Sequence, residues 1–379
     1  MIIIAKTLKG LEDVLKQEII DLGGQNIERL TRAVKFEGDT ALLYKSCLML
    51  RTAIRIMKFQ GEYKVLSYDD VYKLIKRLPW ETIFGLRDTF AIRAVTSSVK
   101  MNHSVFLGQK FKDAIVDRFY TKFEKRPNVN PINPDFWIDI HLRENNMLTV
   151  SIDASGESLH MRGYRTYPVE APINEVLAAG LIKLSGWNPE IKFLDPMCGS
   201  GTIAIEAALM AKNLPPHVRS RKFGFMNWKD FDAKLWDQIK TDAYKGLQQP
   251  QYKIKAFDKS LQAIKAAETN AREAGIDGFI EFKRQDFFKE EVFEHHTVIT
   301  NPPYDERLKL DDALDFYKKI GDHLKKCYIN STFYIISSNI ESLKQIGLKP
   351  SSRVHLLNGA LEAEFQKYEI YEGSKRIRD

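Results

Sequence analysis

Apolar residues recur along the chain in two rhythms, and each change of rhythm predicts a change of element. Residues 2–5 are a short apolar run that predicts a strand. Over 10–22 the apolar positions Leu11, Val14, Leu15, Ile19 and Leu22 fall at helical spacing, and Gly23-Gly24 ends the helix. Residues 32–37 alternate as a strand, 40–49 read as a second helix, and 53–60 as a third strand. Strand–helix–strand–helix–strand in about 60 residues predicts a small α+β unit of ferredoxin-like type.

A second unit begins at Ser67, which caps a helix over 68–78 with Asp69 and Asp70 in its first turn. Pro79-Trp80 stops that helix. A strand over 89–97 precedes a long helix over 104–123, whose apolar positions include Val105, Phe106, Phe111, Ile115, Val116 and Phe119. Strands over 136–143 and 147–153 flank Glu144-Asn145-Asn146 as a hairpin. Residues 159–167 carry His160, Arg162, Arg165 and two tyrosines, and Pro168 and Pro172 mark a boundary.

From Val169 onward strand and helix alternate. Helices are expected over 174–185, 202–212, 261–274 (ended by Gly275) and 314–327, and strands over 191–194, 253–257, 279–283, 297–300 and 332–336. Strands over 353–357 and 365–371 close the chain as an antiparallel pair around Asn358-Gly359. This order predicts a doubly wound, mostly parallel sheet with one reversed strand at its end. The expected divisions are 1–60, 61–155, a linker over 156–168, and 169–379. There is no internal repeat and no low-complexity segment.

Composition narrows the setting. A length of 379 residues suits two or three domains, and 44% hydrophobic with 28% charged residues is the balance of a soluble globular protein. The net charge of +7 permits a polyanionic partner without selecting one. Cys47, Cys198 and Cys327 are scattered and odd in number, which excludes a disulfide framework or a multi-cysteine zinc site and fits a reducing cytosol. No apolar run approaches the roughly 20 residues that span a bilayer, and the first residues lack the layout of a signal peptide. A cytoplasmic protein without membrane contact or metal is expected.

Candidate chemistry sits at strand ends of the third unit. Asp195-Pro196-Met197-Cys198-Gly199-Ser200-Gly201-Thr202 joins a strand to a helix; its glycines let the backbone approach a ligand, and Thr202 is placed to cap the helix. Taken alone, the loop suits a dinucleotide, a phosphate, or no ligand. It lacks a P-loop lysine and the third glycine of dinucleotide spacing. Asp195 would repel a pyrophosphate and suits a cofactor bearing positive charge. Asp258, followed by Lys259, ends the next strand, where a carboxylate takes ribose hydroxyls. Asp286 follows the third strand, placed to accept from an adenine amine while Phe287 packs on the ring. Asn301-Pro302-Pro303-Tyr304 follows the fourth. Its prolines stiffen the turn, so that an Asn oxygen and a backbone carbonyl grip a planar amino group while Tyr304 stacks on the ring.

With those residues in place, the third unit resembles an S-adenosylmethionine-dependent methyltransferase of Rossmann-like (class I) fold, with a seven-stranded doubly wound sheet. Its NPPY resembles that of enzymes methylating base amines. A cofactor-covering helix, starting in Ala171-Pro172-Ile173-Asn174-Glu175, precedes the glycine loop. The first two units resemble a ferredoxin-like domain followed by a THUMP module, an α+β RNA-binding region. The whole chain, including Arg162-Gly163-Tyr164-Arg165 and Asn358-Gly359, is similar to THUMP-containing RNA guanine methyltransferases.

The resemblance implies S-adenosylmethionine as cofactor, held by 195–202, Asp258, Lys259, Asp286, Phe287 and Asn301, and catalysis by Asn301, Pro302, Pro303 and Tyr304. RNA is the implied partner. Pro215-Pro216-His217 and Phe223-Gly224-Phe225 resemble the bacterial enzymes acting on 23S ribosomal RNA, especially the first half of the fused type with two methyltransferases; transfer RNA is the second choice. Residues 213–250 form a long insert mixing Arg219, Arg221 and Lys222 with Phe223, Phe225, Trp228, Phe231 and Trp236. That mixture suits a base-stacking surface or, equally, a mini-core under a long loop. His295-His296 point to opposite strand faces and make a poor metal pair. Cys198 reads as loop packing rather than as a nucleophile, and Lys73, Lys76 and Arg77 as a solvated helix flank. Rival readings are methylation of an adenine amine and a non-catalytic RNA-binding assembly factor.

Overall fold

The computed structural model describes residues 1–166, 172–217, 221–289, 291–303 and 310–372, with backbone only at 310 and 311. Its first elements are β1 (Ile2–Lys6), α1 (Glu12–Asp21), β2 (Gln25–Leu30), β3 (Ala33–Glu37), α2 (Thr40–Met49) and β4 (Arg55–Lys64). Asp39 starts α2 by accepting from the Leu42 N–H at 2.8 Å. β2 is additional to the elements expected from the sequence. Most of its side chains are exposed, so it carries no apolar alternation to betray it.

Next come α3 (Tyr68–Arg77), β5 (Thr89–Thr96), α4 (Ser104–Phe123), β6 (Asn128–Val129), β7 (Phe136–Leu142) and β8 (Met147–Asp153). Ser67 caps α3 as expected, accepting from the Asp70 N–H at 3.1 Å. Helices α3 and α4 bury Val71, Ile75, Phe111, Ile115 and Phe119 against Phe90, Phe136, Ile138 and Ile140 of the strands.

The two α+β units share one sheet. β4 pairs with β1 along one edge and with β8 along the other, with a register shift between Phe59 and Gly61. Eight strands therefore run in the order β2-β3-β1-β4-β8-β7-β5-β6, and β4 passes straight through residue 60, where the sequence suggested a division. Charged groups sew this seam. The fully buried Asp153 side chain takes Arg55 Nη1 at 2.6 Å and also binds Arg93, whose guanidinium reaches Asp139 at 2.9 Å. The buried carboxylate thus has the partners that burial demands.

The third unit runs α5 (Glu175–Ser185), β9 (Lys192–Asp195), α6 (Thr202–Ala211), α7 (Ala233–Lys245), β10 (Ile254–Asp258), α8 (Leu261–Ala274), β11 (Ile280–Arg284), β12 (His296–Thr300), α9 (Leu310–Cys327), β13 (Thr332–Ser337), β14 (Ser352–Asn358) and β15 (Leu361–Glu369). Its sheet has the order β11-β10-β9-β12-β13-β15-β14. β9 to β13 are parallel neighbours, and β15 is antiparallel to both β13 and β14. The reversed strand is therefore one place in from the edge, not at the edge. β15 is largely buried and β14 largely exposed, so the more apolar strand takes the interior place. The apolar faces of α5, α6 and α8 share one core cluster, and Tyr317, Ile320 and Leu324 of α9 belong to another.

The insert resolves into a 3-10 turn at Gly224–Asn227 and helix α7. Phe223, Phe225, Trp236 and Ile239 join the core of the first unit alongside Leu43, Tyr44 and Leu48 of α2. Phe225 stacks on Tyr44 with ring centroids 4.2 Å apart, and the Tyr44 hydroxyl accepts from the Asp232 N–H at 3.1 Å. A Cβ on Gly224 would stand 2.8 Å from the Asp153 carbonyl, so the close approach of the insert to the end of β8 requires glycine there. The rings considered as a base-stacking surface are, for Phe223, Phe225 and Trp236, interior packing. Arg219 lies outside the described residues, as do Pro168 and Val169 at the expected end of the linker.

Candidate active site

β11, β10, β9 and β12 are parallel neighbours, so their C-terminal ends share one rim. Asp286 follows β11, Asp258 ends β10, Asp195 ends β9 and Asn301 follows β12. The four strand-end residues singled out in the sequence are thus brought together in spatial order. Open α/β sheets bind ligands at this rim.

The glycine loop is built from backbone bonds. Cys198 N–H donates to the Phe257 carbonyl at 2.8 Å, tying the loop to β10, and Gly201 N–H donates to the Cys198 carbonyl at 2.8 Å. Gly199 and Gly201 have φ of +53° and +82°, in the left-handed region. A Cβ on Gly201 would stand 2.9 Å from Cβ of Ala267 on α8, whereas one on Gly199 would meet nothing within 4 Å among the described residues. Gly201 therefore lets α6 and α8 close up, and Gly199 leaves space over the loop. Asn270 of α8 braces the loop by donating to the Ser200 carbonyl at 3.1 Å.

Thr202 does not cap α6. Gly201 is the cap residue and no side chain caps it. Thr202 is already the first residue of the helix, and its hydroxyl accepts from Arg165 Nη2 at 3.1 Å.

Asp195 is 1% exposed, and burial pushes its carboxyl well above the usual carboxylate range, with Asp258 adding to the effect against a hydrogen bond from the Met197 N–H. A cation beside it would reverse that shift. Asp258 accepts from the Gly199 N–H at 3.0 Å and from the Ser260 N–H at 2.8 Å, so its carboxylate orders the loop as well as facing the rim. The Lys259 side chain is exposed, and its carbonyl accepts from Arg284 at 3.1 Å. Burial, then Asp195 and Asp258, raise the Cys198 thiol well above its ordinary value, which disfavours the thiolate.

Phe287, expected to pack on an adenine ring, is packed in the core beside the rim. It is 4% exposed, stacked on Tyr328 at 5.9 Å and edge-on to His323 at 4.8 Å, so its ring faces are committed to the core. Asp286, beside it, is half-buried and accepts from the Phe288 N–H at 3.1 Å. Asn301 and Pro303 are half-buried and Pro302 is buried; Tyr304 lies outside the described residues. His295 is exposed and His296 buried, its Nδ1 bonding the Glu294 carbonyl at 2.7 Å.

Three comparisons bear on this site. A family model for the RMKL-like methyltransferase domain matches residues 162–367. The chain belongs to the RMKL-like methyltransferase family. Ahead of that domain, residues 2–57 match an RlmL ferredoxin-like domain and residues 66–153 a THUMP domain. Among RMKL-like relatives, "Ribosomal RNA large subunit methyltransferase K/L" of Psychromonas ingrahamii is 38% identical over 96% of the chain and 49% of its own length. The chain therefore spans about half of that relative. "Putative RNA methyltransferase slr0064" of Synechocystis is 35% identical over 97% of the chain and 96% of its own length. The crystal structure of SMU.472, described as a putative methyltransferase complexed with SAH, superposes with a TM-score of 0.88 at 29% identity, covering 98% of this chain and 99% of that one.

Some roles around the site were not foreseen. Arg165 and Asn270 hold the loop from outside, and Glu206, buried within α6, anchors the linker. A lone glutamate in the otherwise apolar stretch Thr202–Ala211 is the sequence signal that marks it.

Proposed function

We propose that the chain transfers a methyl group from S-adenosylmethionine to the exocyclic amine of a guanine in RNA, with 23S ribosomal RNA as substrate. The observation that carries this reading is the rim on which Asp286, Asp258, Asp195 and Asn301 follow one another across four neighbouring parallel strands. The residues fit the cofactor: a desolvated carboxylate that favours a cation, a rim carboxylate suited to ribose hydroxyls, and a glycine with open space above it.

When bound, S-adenosylmethionine supplies an electrophilic methyl group on a sulfonium. The guanine amine is a weak nucleophile because its lone pair is delocalised into the ring. The Asn301 side-chain oxygen and the Pro302 carbonyl accept its two hydrogens, drawing the nitrogen out of conjugation and aiming the lone pair. Tyr304 is assigned to stacking, worth about 1–3 kcal/mol for a base on an aromatic ring. The methyl–sulfur bond would break as the carbon–nitrogen bond forms, the sulfur keeping the electron pair as a neutral thioether. The amine proton, acidic only after transfer, would pass to water, so that alignment and electrostatics carry the catalysis without a strong base. The amine is out of reach inside a helix, which calls for an unpaired or flipped guanine.

The flank of α3 read from the sequence as merely solvated carries, with the end of α4, the exposed cations that favour RNA as partner. Lys73 and Arg77 of α3 are exposed, and the Arg77 carbonyl accepts from Arg118 of α4 at 3.1 Å, with Arg118 and Lys122 both paired to Glu81 at 2.6 and 2.8 Å. Further along, Lys122 lies over Phe123 and Arg126 over Tyr120, rings that are 40% and 52% exposed. Cations beside exposed rings suit a nucleic-acid backbone and its bases. The K/L relative's name supports ribosomal RNA.

The test is Asn301→Ala, read by calorimetry with S-adenosylmethionine and by single-turnover methyl transfer. Cofactor affinity should fall only a few-fold, Asn301 being one of many residues on the cofactor, while the rate falls about 100-fold, the order seen for loss of one preorganised group. An unchanged rate would remove Asn301 from the mechanism. Absence of cofactor binding by the unaltered chain would favour the non-catalytic assembly factor instead.

A further inference from the structure

Helix α6 leaves the cofactor loop at Thr202, and every residue in it except Met210 is buried. Three arginines from outside the helix grip it at its start, middle and end. At the start, Arg165 Nη2 donates to the Thr202 hydroxyl at 3.1 Å and to the Ile173 carbonyl at 2.9 Å, and pairs with Glu175 at 3.2 Å. In the middle, Arg162 Nε reaches Glu206 Oε1 at 3.3 Å, both side chains fully buried, and the Tyr164 hydroxyl donates to the same oxygen at 3.1 Å. At the end, Arg51 Nη2 donates to the carbonyl of Leu209 in the last turn at 3.3 Å, which also accepts from the Leu214 N–H at 2.9 Å, and to the carbonyl of Leu214 just beyond the helix at 2.7 Å.

Arg51 follows α2 and so belongs to the first unit. Its own carbonyl accepts from Arg162 Nη2 at 2.5 Å, and its N–H donates to Glu18 of α1 at 3.3 Å. Arg162 Nη1 adds the Leu159 carbonyl at 2.6 Å and His217 Nε2 at 2.9 Å. An unbroken chain of polar contacts thus joins α1 to Arg51, to Arg162 and to the helix that begins at the glycine loop. Stability alone is a weak reason for such a pair, since apolar residues of similar volume often replace buried ion pairs at no loss. What directed bonds add is a fixed distance and orientation.

We propose that Arg51, Arg162 and Arg165 are positioning residues that lock α6, and the glycine loop at its N-terminus, in register with the first unit. RNA gripped by the N-terminal sheet and cofactor gripped by the loop then meet at one alignment; this rests on the function proposed above. The arginines touch neither ligand in this scheme. They act through α6.

Two variants of the full chain test it. Arg162→Met alone leaves Glu206 without its counter-charge, with only the Tyr164 hydroxyl as donor, and should lower the thermal midpoint. Arg162→Met with Glu206→Leu should recover most of that loss, the carbonyls of Arg51 and Leu159 still lacking their donor. In the restored double variant, RNA affinity should match the unaltered chain, while S-adenosylmethionine affinity or the single-turnover rate falls at least tenfold. Unaltered affinity and rate in that variant would overturn the proposal and leave the network a packing feature. Should the double variant not fold, Arg51→Met, which releases only the far end of α6, carries the test by amide hydrogen exchange. Exchange over 199–206 should quicken at least tenfold while β1 and β3 keep their protection; equal protection at 199–206 overturns the proposal. The exchange measurement needs no RNA and no turnover. Absence of methyl transfer by the unaltered chain would therefore count against the proposed function alone.

Discussion

Gly201 combines a φ of +82° with an Ala267 Cβ only 2.9 Å from where its own Cβ would stand. Gly201→Ala is expected to cost more than about 1 kcal/mol, the strain of a left-handed alanine plus the push on α8, and to weaken cofactor binding more than tenfold. Gly199→Ala meets strain but no contact, so thermal unfolding should rank it the milder change. His296 makes a pH prediction. Burial, with Lys192, Lys255 and His295 nearby, lowers its imidazole to about 4 despite the bond to the Glu294 carbonyl, against about 6.5 in the unfolded chain. Between those values the unfolded chain binds the extra proton. Its contribution to stability is therefore complete above about pH 6.5 and is lost as pH falls toward 4. The thermal midpoint of His296→Asn should fall less steeply over that window than that of the unaltered chain. Asp195, Asp258, Asp286 and Asn301 were legible in the sequence because a strand end is a local feature. Phe287 was not, since an aromatic after a strand reads alike whether it faces a ligand or the core. Nor was the partner of Glu206, which lies 44 residues away in the chain.

At the scale of elements, the insert shows how composition misleads. Basic residues interleaved with aromatics describe a base-stacking surface and a clamp equally well; only the neighbouring α2 decides between them. Trp236 is 7% exposed and edge-on to Phe225 at 5.3 Å. Trp236→Ala should therefore cost about 3–5 kcal/mol, the price of emptying a large aromatic site, read as a lower urea midpoint for the first unit as well as for the insert. RNA affinity of the folded variant should be unaltered. Most helices were legible because caps and periodicity agree: Ser67, Asn174 and Ser260 each accept at the start of the helix they precede, and Gly275 ends α8 at φ +71°. β2 was missed because an exposed edge strand has no buried face to pattern. The interior place of β15 also escaped, since the order of pairing between two strands is a tertiary choice that alternation within either strand does not record.

Among the described residues, two sheets are held together by interior contacts. The first unit supplies Leu11 to the cluster of the third, and the insert returns Phe225 and Trp236 to the first. The class of the third unit could be read from its element order. The fusion of the first two could not, because it depends on both edges of β4 being paired. At this scale the basic end of α3 and α4 predicts salt behaviour. Lys73→Glu with Arg77→Glu should weaken binding to all RNA sequences alike and reduce the slope of log affinity against log salt by about 1–2, according to how many phosphate contacts are lost. The central claim, that this rim methylates a guanine amine in 23S ribosomal RNA, is tested most directly by mapping methylated guanines in ribosomal and transfer RNA from cells with and without the gene. The account predicts that one guanine of 23S ribosomal RNA loses its methyl group on deletion and regains it with the unaltered chain but not with Asn301→Ala. Unchanged guanine methylation in 23S ribosomal RNA, or full restoration by the Asn301 variant, would contradict it.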